Sequence, residues 1–300
     1  MGRSEAPAHR GYGNSMHAEL ESTNAIWIEN TIRDFLKNPA NNTMGVDPYE
    51  PAWGEPLVGF SRGDDPLYAQ FKRDIGPFYL TPAELYNKTF PDRPVRAEFL
   101  TVISWALPQT DATKYDARKE FWYPPERWAL SRHFGEDCNV RLHVHMIDAL
   151  RHSGYRAVAP SRSPFAGLEH SKRFGESSTW SERHAAYAGG LGTFGLCDGL
   201  ITAAGKAVRC GSVIARITIP PRQRPYGDPH AYCLFYARGT CGACINRCPA
   251  GAISDRGHDK EKCRAYIHNA TLPYCFSQFG LAANACGLCQ TKVPCESGIP

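Results

Sequence analysis

The chain has 300 residues, 42% of them apolar, with 34 basic and 30 acidic side chains and a net charge of +4. That is enough apolar material for a sizeable core, and the length allows two domains. The near balance of charge argues against a dedicated nucleic-acid surface, which needs a clustered basic face, and no apolar run reaches the ~18 residues of a membrane span.

The first 16 residues are small and polar, and are expected to form a mobile tail. They lack the apolar centre of a signal peptide and a twin-arginine pair, so the sequence reads as cytoplasmic, where thiols stay reduced. Behind the candidate caps Ser22 and Thr23, the residues Ile28, Ile32, Phe35 and Leu36 recur at helical spacing and predict an amphipathic helix. Residues 39–95 carry many prolines and aromatics, among them Pro48, Trp53, Pro56, Pro77, Pro82 and Pro91, and read as irregular wrapping. The apolar run AEFLTVISWAL over residues 97–107, closed by Pro108, predicts a buried strand.

A helix is expected next, with Val140, Val144, Ile147 and Leu150 on one face and Gly154 as its stop. YRAVAP reads as a strand. Thr179 and Glu182 fit a capping box opening the short helix SERHAAYAG, and DGLIT and AVRCGSVIARITI predict two strands joined by Ala204, Gly205 and Lys206. His143 and His145, two apart on one helix, face different directions and make no metal pair. The fold class is α+β, a mostly antiparallel sheet with helices on its faces. The expected organisation is 1–95 as tail, helix and wrapping, 96–228 as the α+β domain, and 229–300 as a small cysteine-rich domain.

That last stretch holds nine of the twelve cysteines. Cys241, Cys244, Cys248 and Pro249 give C-x2-C-x3-C-P, the end of a bacterial ferredoxin half whose full form is C-x2-C-x2-C-x3-C-P. Arg238 stands where the first cysteine belongs, and Cys233, five residues earlier, is the natural substitute. Two four-iron four-sulfur clusters need eight thiolates, with ligands exchanged between the halves. The spacing assigns Cys233, Cys241, Cys244 and Cys295 to one cluster and Cys248, Cys263, Cys286 and Cys289 to the other, with Cys275 spare. A disulfide framework belongs to small secreted domains; two zinc sites use C-x2-C pairs but leave the C-P unexplained.

Gly190 to Gly195 is a literal G-x-G-x-x-G. It follows a helix and precedes a strand, the reverse of the order in which that motif holds a pyrophosphate. What remains is a backbone without side chains that can lie close to something flat or bulky, or a tight turn.

ISWALPQT, the Gly135-Glu136-Asp137 segment, SERHAAYAGGLGTFG and the ordered cysteines together resemble epoxyqueuosine reductases and, more distantly, the core of reductive dehalogenases, over residues 96 to 295. The resemblance implies a nitroreductase-like domain that binds cobalamin, followed by a two-cluster ferredoxin-like domain that passes electrons to cobalt. It places Gly190, Leu191, Gly192, Thr193 and Gly195 along the corrin. It gives Asp137 the role of proton donor, with Glu136 and His133 as rivals and a helix N-cap as the plain alternative for Asp137. It further implies an external electron donor such as a ferredoxin or flavodoxin.

The sequence departs from the family in several places. The helical-repeat segment that helps grip tRNA does not follow Pro300 and there is no basic patch, so tRNA is set aside in favour of a small-molecule substrate. Cys138 and Asn139 replace the family's Tyr and His, and Thr193-Phe194 replaces its loop tryptophan. His230, in Asp228-Pro229-His230, reads as a linker residue. The alternative function is an electron-transfer protein whose α+β domain only binds a partner; a zinc-stapled binding module is a third.

Overall fold

The computed structural model describes residues 12–300, with side chains from Glu21 onward. Its first helix, α1 (Tyr12–Lys37), starts ten residues before the expected caps, so Ser22 and Thr23 lie inside it. The expected tail lies outside the described residues as far as residue 11, and residues 12–16 belong to the helix. The proline-rich segment that follows is not mere wrapping. It supplies β1 (Leu57–Arg62), α2 (Pro66–Ile75) and α3 (Pro82–Thr89). Each helix has a proline in its first turn, where no amide partner is lost, and a side-chain cap from Asp65 or Thr81.

The predicted buried strand is β2 (Thr101–Pro108), buried at all eight positions. A strand covered on both faces reads as one continuous apolar run, and it sits at the centre of its sheet for that reason. After α4 (Asp111–Lys119) and the long α5 (Glu126–His152) come the short β3 (Ala157–Val158), a hairpin of β4 (Leu168–Ser171) and β5 (Gly175–Ser178), α6 (Glu182–Ala188), a second hairpin of β6 (Gly192–Phe194) and β7 (Leu200–Thr202), and β8 (Val208–Ala215). The main sheet has the order β1-β2-β8-β3, antiparallel throughout. DGLIT and AVRCGSVIARITI are both strands as expected, but β7 pairs with β6 and only β8 joins the main sheet.

Alternation along β2 divides the core. Ile103, Trp105 and Leu107 face α1 and α5, packing with Ile28, Ile32, Leu142 and Met146. Val102 and Ala106 face the other side, with Tyr68, Leu85 and Ala185 from α2, α3 and α6 and Tyr79 from the turn between α2 and α3. Gly211 stands opposite Trp105 in the β2–β8 register, where a Cβ would lie 2.5 Å from the indole nitrogen. Because β1 and α1 belong to this core, the expected boundary at residue 95 runs through a single sheet unit.

Helix α5 also differs from its expected register. Its face into the core is Cys138, Leu142, Met146 and Leu150, while Val144 is 51% exposed. Two sides of α5 are buried, one against the core and one carrying the polar Asn139 and His143, so apolar spacing alone misplaces its face.

The remainder is built from short pieces: α7 (Leu234–Arg238), α8 (Ala243–Asn246), the two-residue strands β9 (Ile253–Ser254) and β10 (Gly257–His258), α9 (Lys260–Tyr266) and α10 (Leu272–Phe279). Arg247, 8% exposed, ties this part to the sheet unit. Its guanidinium donates to the carbonyls of Leu288 (3.2 Å), Thr291 (3.1 Å), Ala117 (3.0 Å) and Glu120 (2.6 Å). Ala117 and Glu120 end α4, where a cation also meets the negative end of the helix dipole. No described helix is long and apolar enough to cross a membrane.

Candidate functional site

All twelve cysteines are free thiols, so no disulfide framework exists. Cys233 is the N-cap residue of α7, and Arg238, which occupies the ferredoxin position, ends that short helix in an exposed position. The turn carries Cys233 back so that Cys233, Cys241, Cys244 and Cys295 line one cavity, beside Gly195 and Lys206. The other assigned set also comes together in part. Cys286 lies close enough to Cys263 and Cys248 for their charges to act on it, and Cys289 is close to Cys286. Burial pushes the Cys286 thiol up to about 11. Among the described residues no three or more His, Cys, Asp or Glu side chains converge on a single metal ion. Thiolates around a four-iron cluster each bond a different iron, so they surround a volume rather than a point.

Two neighbours of these thiols had no part in the ligand assignment. Cys197, 6% exposed, lies within hydrogen-bond reach of both Cys244 and Cys289, and so between the two groups. Lys206, 2% exposed, faces Cys197, Cys244, Cys289 and Cys295. Burial acts to lower its pKa, but the thiolate charges around it outweigh that and raise it. Neither residue belongs to the C-x2-C run, and only the hairpin β6–β7 and the start of β8 carry them in. Cys275 packs instead with Ala117, Trp128, Ala283 and Ala285, and burial raises it to about 11.

A cavity of about 700 Å3 separates the sheet unit from the cysteine-rich part. One wall is α5, α6 and the start of β8, through Glu136, Asn139, His143, Glu182, Arg183 and Arg209; the other includes His258, Lys260, Cys263 and Arg264. Glu182 is its most unusual group. The N-cap of α6 is Ser181, not Thr179, and Glu182 follows it in the first turn. Thr179 is occupied elsewhere, with Gly167 N and Phe165 O. Glu182 Oε2 accepts from Ser212 Oγ, which in turn accepts from Trp180 Nε1 at 3.1 Å. Glu182 Oε1 is buried with no hydrogen-bond partner among the described residues, as is His143 Nε2, and the two are 4.0 Å apart. Burial raises the Glu182 pKa to about 7, against the lowering effect of its hydrogen bonds to Ser212, Ser161 and Trp180.

His143, which the sequence set aside as half of a metal pair, is 2% exposed. Its Nδ1 lies 2.7 Å from the carbonyl of Asn139, whose Oδ1 takes the indole N–H of Trp105 at 2.9 Å. Burial lowers the His143 pKa to about 4 despite that backbone hydrogen bond. The ring is therefore neutral at pH 7, and with Nδ1–H donating to a carbonyl, Nε2 holds the lone pair.

Asp137 is placed differently from its expected role. It is exposed, in the middle of α5, and lines a separate surface hollow with Thr43, Phe134, Val140 and Arg141. One residue along a helix is a rotation of about 100°, which turns Asp137 outward while Glu136 and Asn139 face the cavity. The N-cap alternative fails for the same reason. Of the rivals, His133 packs against the ring of Phe134. Glu136 does face the cavity, bonded to Arg132 at 2.9 Å and Arg209 at 2.5 Å. Burial acts to raise the Glu136 pKa, but these two arginines hold it below the usual carboxylate range, so Glu136 is a fixed anion.

The glycine loop also serves another purpose. Gly190, Leu191, Gly192 and Thr193 do not line the large cavity, whose nearest wall in this part of the chain is Gly199 and Leu200. A Cβ at Gly192 would lie 2.1 Å from the Ile201 carbonyl, so the glycine permits the close pairing of β6 with β7. Gly190, at φ +79°, turns the chain out of α6. Thr193 Oγ1 accepts from Tyr232 N at 2.9 Å, and Gly195 lines the cavity of Cys233, Cys241, Cys244 and Cys295. His230 rests with Nδ1 3.0 Å from the Phe194 carbonyl, as a packed connection.

Neither protein-family models nor curated proteins give a match to the chain. Solved structures do. A catabolic reductive dehalogenase aligns at 17% identity and a TM-score of 0.49, over 81% of this chain and 30% of its own. Epoxyqueuosine reductase from Bacillus subtilis aligns at 17% identity and 0.48, over 91% and 66%. An epoxyqueuosine reductase bound to an epoxyqueuosine-modified tRNA stem loop aligns at 17% and 0.45, over 91% and 67%. The chain is similar to epoxyqueuosine reductases and reductive dehalogenases. It spans less than a third of the dehalogenase chain.

Proposed function

We propose that the protein is an iron-sulfur and corrinoid-dependent reductase of a small organic substrate, with a nitroreductase-like sheet unit, a ferredoxin-like cysteine unit and an external one-electron donor such as a ferredoxin or flavodoxin. The observation that carries this reading is the juxtaposition in one cavity of Cys263, an assigned cluster ligand, with the carboxyl of Glu182, whose buried Oε1 has no hydrogen-bond partner among the described residues. The donor sets fit the groups: soft thiols enclose one volume and border another, as iron-sulfur clusters require. When bound, the clusters and the corrinoid would supply the electrons.

The residues of the chain supply position and a proton. Glu182 takes the acid role first given to Asp137, because a carboxyl with a pKa near 7 holds a proton at neutral pH and still releases it readily. Ser212, itself held by Trp180, fixes Oε2, which leaves the buried Oε1 to carry the proton. His143 Nε2, 4.0 Å away, is an acceptor. A substrate atom lodged between them can accept from one and donate to the other, which defines its orientation. Glu136 keeps Arg132 and Arg209 in place along the same wall.

Anaerobic purification and reconstitution test the reading. The expected result is about eight irons and eight sulfides per chain and a corrinoid spectrum on adding cobalamin. Bound zinc in place of iron supports the zinc module; clusters without corrinoid binding support the electron-transfer alternative. Cys233→Ser should degrade one cluster and spare the other, and two intact clusters in that variant would overturn the ligand assignment.

A further inference from the structure

The walls of the large cavity are unequal in charge. Seven lysine and arginine side chains line it against three glutamates. Arg264 is paired with Glu176, and Arg132 and Arg209 share the single carboxylate of Glu136. Arg162, Arg183 and Lys260 make no ion pair among the described residues: Arg183 donates to the Asp198 carbonyl, and Lys260 lies 5.6 Å from the centre of the Phe174 ring, with the Asp198 carboxylate acting on it from beyond ion-pair distance. Arg209 Nε is buried without a hydrogen-bond partner. A buried guanidinium N–H left unpaired is costly, and an oxyanion is the partner it matches best. Glu182 adds no compensating charge below neutrality, since its carboxyl stays protonated up to about 7. A cleft with low-dielectric walls of one sign focuses its field on whatever enters.

We infer that this cleft is an oxyanion-binding site, in which Arg183, Arg209 and Lys260 hold a phosphate or carboxylate group of the ligand. The inference deepens the reductase reading by naming the substrate's chemical class. It rests on that reading only for the word substrate; the cation cluster stands without it. The oxyanion has two possible sources, the substrate itself or the nucleotide phosphate of a bound cobalamin.

The test is calorimetric titration of the purified, cluster-loaded protein with inorganic pyrophosphate, repeated after saturation with cobalamin and with cobinamide, which lacks the nucleotide phosphate. Saturable binding is expected, weakened about tenfold or more by each of Arg183→Gln and Lys260→Gln, as the loss of one charge-assisted contact requires. Arg209→Lys, which keeps a cation beside Glu136, should weaken it as well, and Arg238→Gln, on exposed α7, should leave it unchanged. Binding that survives both corrinoids supports the substrate as the source; binding blocked by cobalamin but not by cobinamide supports the nucleotide phosphate. No saturable binding, or equal affinity in the cleft variants, overturns the inference. Iron content and corrinoid spectra read on the same samples report separately on the reductase proposal, so either can fail alone.

Discussion

The sheet unit and the cysteine-rich part after residue 229 are held together by different forces. In the sheet unit, Ile103, Trp105, Leu107, Leu142 and Met146 form one continuous apolar core, the arrangement in which the hydrophobic effect alone stabilises a domain. The cysteine-rich part buries small residues and thiols: Cys233, Cys244, Ala252, Ile253, Ala283, Ala285 and Leu288. Its helices are short apart from one stretch in which α9 and α10 are joined by a π-helical turn at Ile267–Thr271. One of its links to the sheet unit is Arg247, whose guanidinium bonds the Ala117 and Glu120 carbonyls at the end of α4. One part carries its own stability, and the other depends on what it docks against and on what its thiols bind.

Mutations can break or sharpen that contrast. The largest effect is expected at Trp105. Replacing it by alanine removes the ring at the centre of the sheet and leaves Asn139 Oδ1 unpaired, at about 3–5 kcal/mol, and denaturant unfolding should show the whole sheet unit melting earlier. Arg247→Ala comes next, at about 3 kcal/mol from four lost charge-assisted contacts. Hydrogen exchange should show the loss confined to residues 288–291 and their surroundings. Equal loss of protection in β2 and β8 would mean that the two parts are one cooperative unit.

Glu182→Gln is expected to be smaller and to depend on pH. The folded pKa of about 7 exceeds the ordinary 4.5, so between these values the folded protein binds more protons than the unfolded chain. Stability from this group is therefore full below ~4.5 and falls as pH rises through ~7. His143 acts in the opposite sense, gaining stability from about 4 to 6.5, so the window above 6.5 isolates the carboxyl. Relative to wild type, Glu182→Gln should gain about 2–3 kcal/mol on going from ~pH 5 to ~pH 8, measured by thermal or chemical unfolding at each pH. A constant difference would place a charged carboxylate in the cleft and remove Glu182 as the acid. The smallest effect is Val144→Ala on the solvent side of α5, within about 0.5 kcal/mol. A larger loss in unfolding experiments would revive the helix face read from the sequence.

The elements that were legible in the sequence are those whose burial is complete and local. β2 announces itself as an unbroken apolar run, and α5 as a long helix ended by Gly154, at φ +85°. The orientation of α5 was not legible, because Cys138 and Leu142 face the core while Asn139 and His143 face a cleft that only the fold creates. The resemblance gave the acid role to Asp137 without that orientation, and the helix turns Asp137 outward. β1 is hidden by the prolines around it, which here start helices and shape turns. Glu182 read as a helix-capping residue because nothing local signals that Trp180, Ser212 and His143 will enclose it. That Cys233, Cys241, Cys244 and Cys295 share one cavity was legible from spacing; the approach of Cys197 and Lys206 was not, since they reach the same place from another part of the chain.

The amide of Lys206 donates to the Cys295 carbonyl at 2.8 Å, and a Cβ at the neighbouring Gly205 would fall 2.0 Å from the Glu296 carbonyl. The last thiol of its group is thus seated by backbone from the sheet unit rather than by its own part of the chain. A chimaera that grafts residues 229–300 onto a foreign sheet would bring all four thiols of that group but only three of their seats. The two parts are separable in composition and inseparable in exchange, and substitutions at residues 205–206 and 295–297 have to be made as a set.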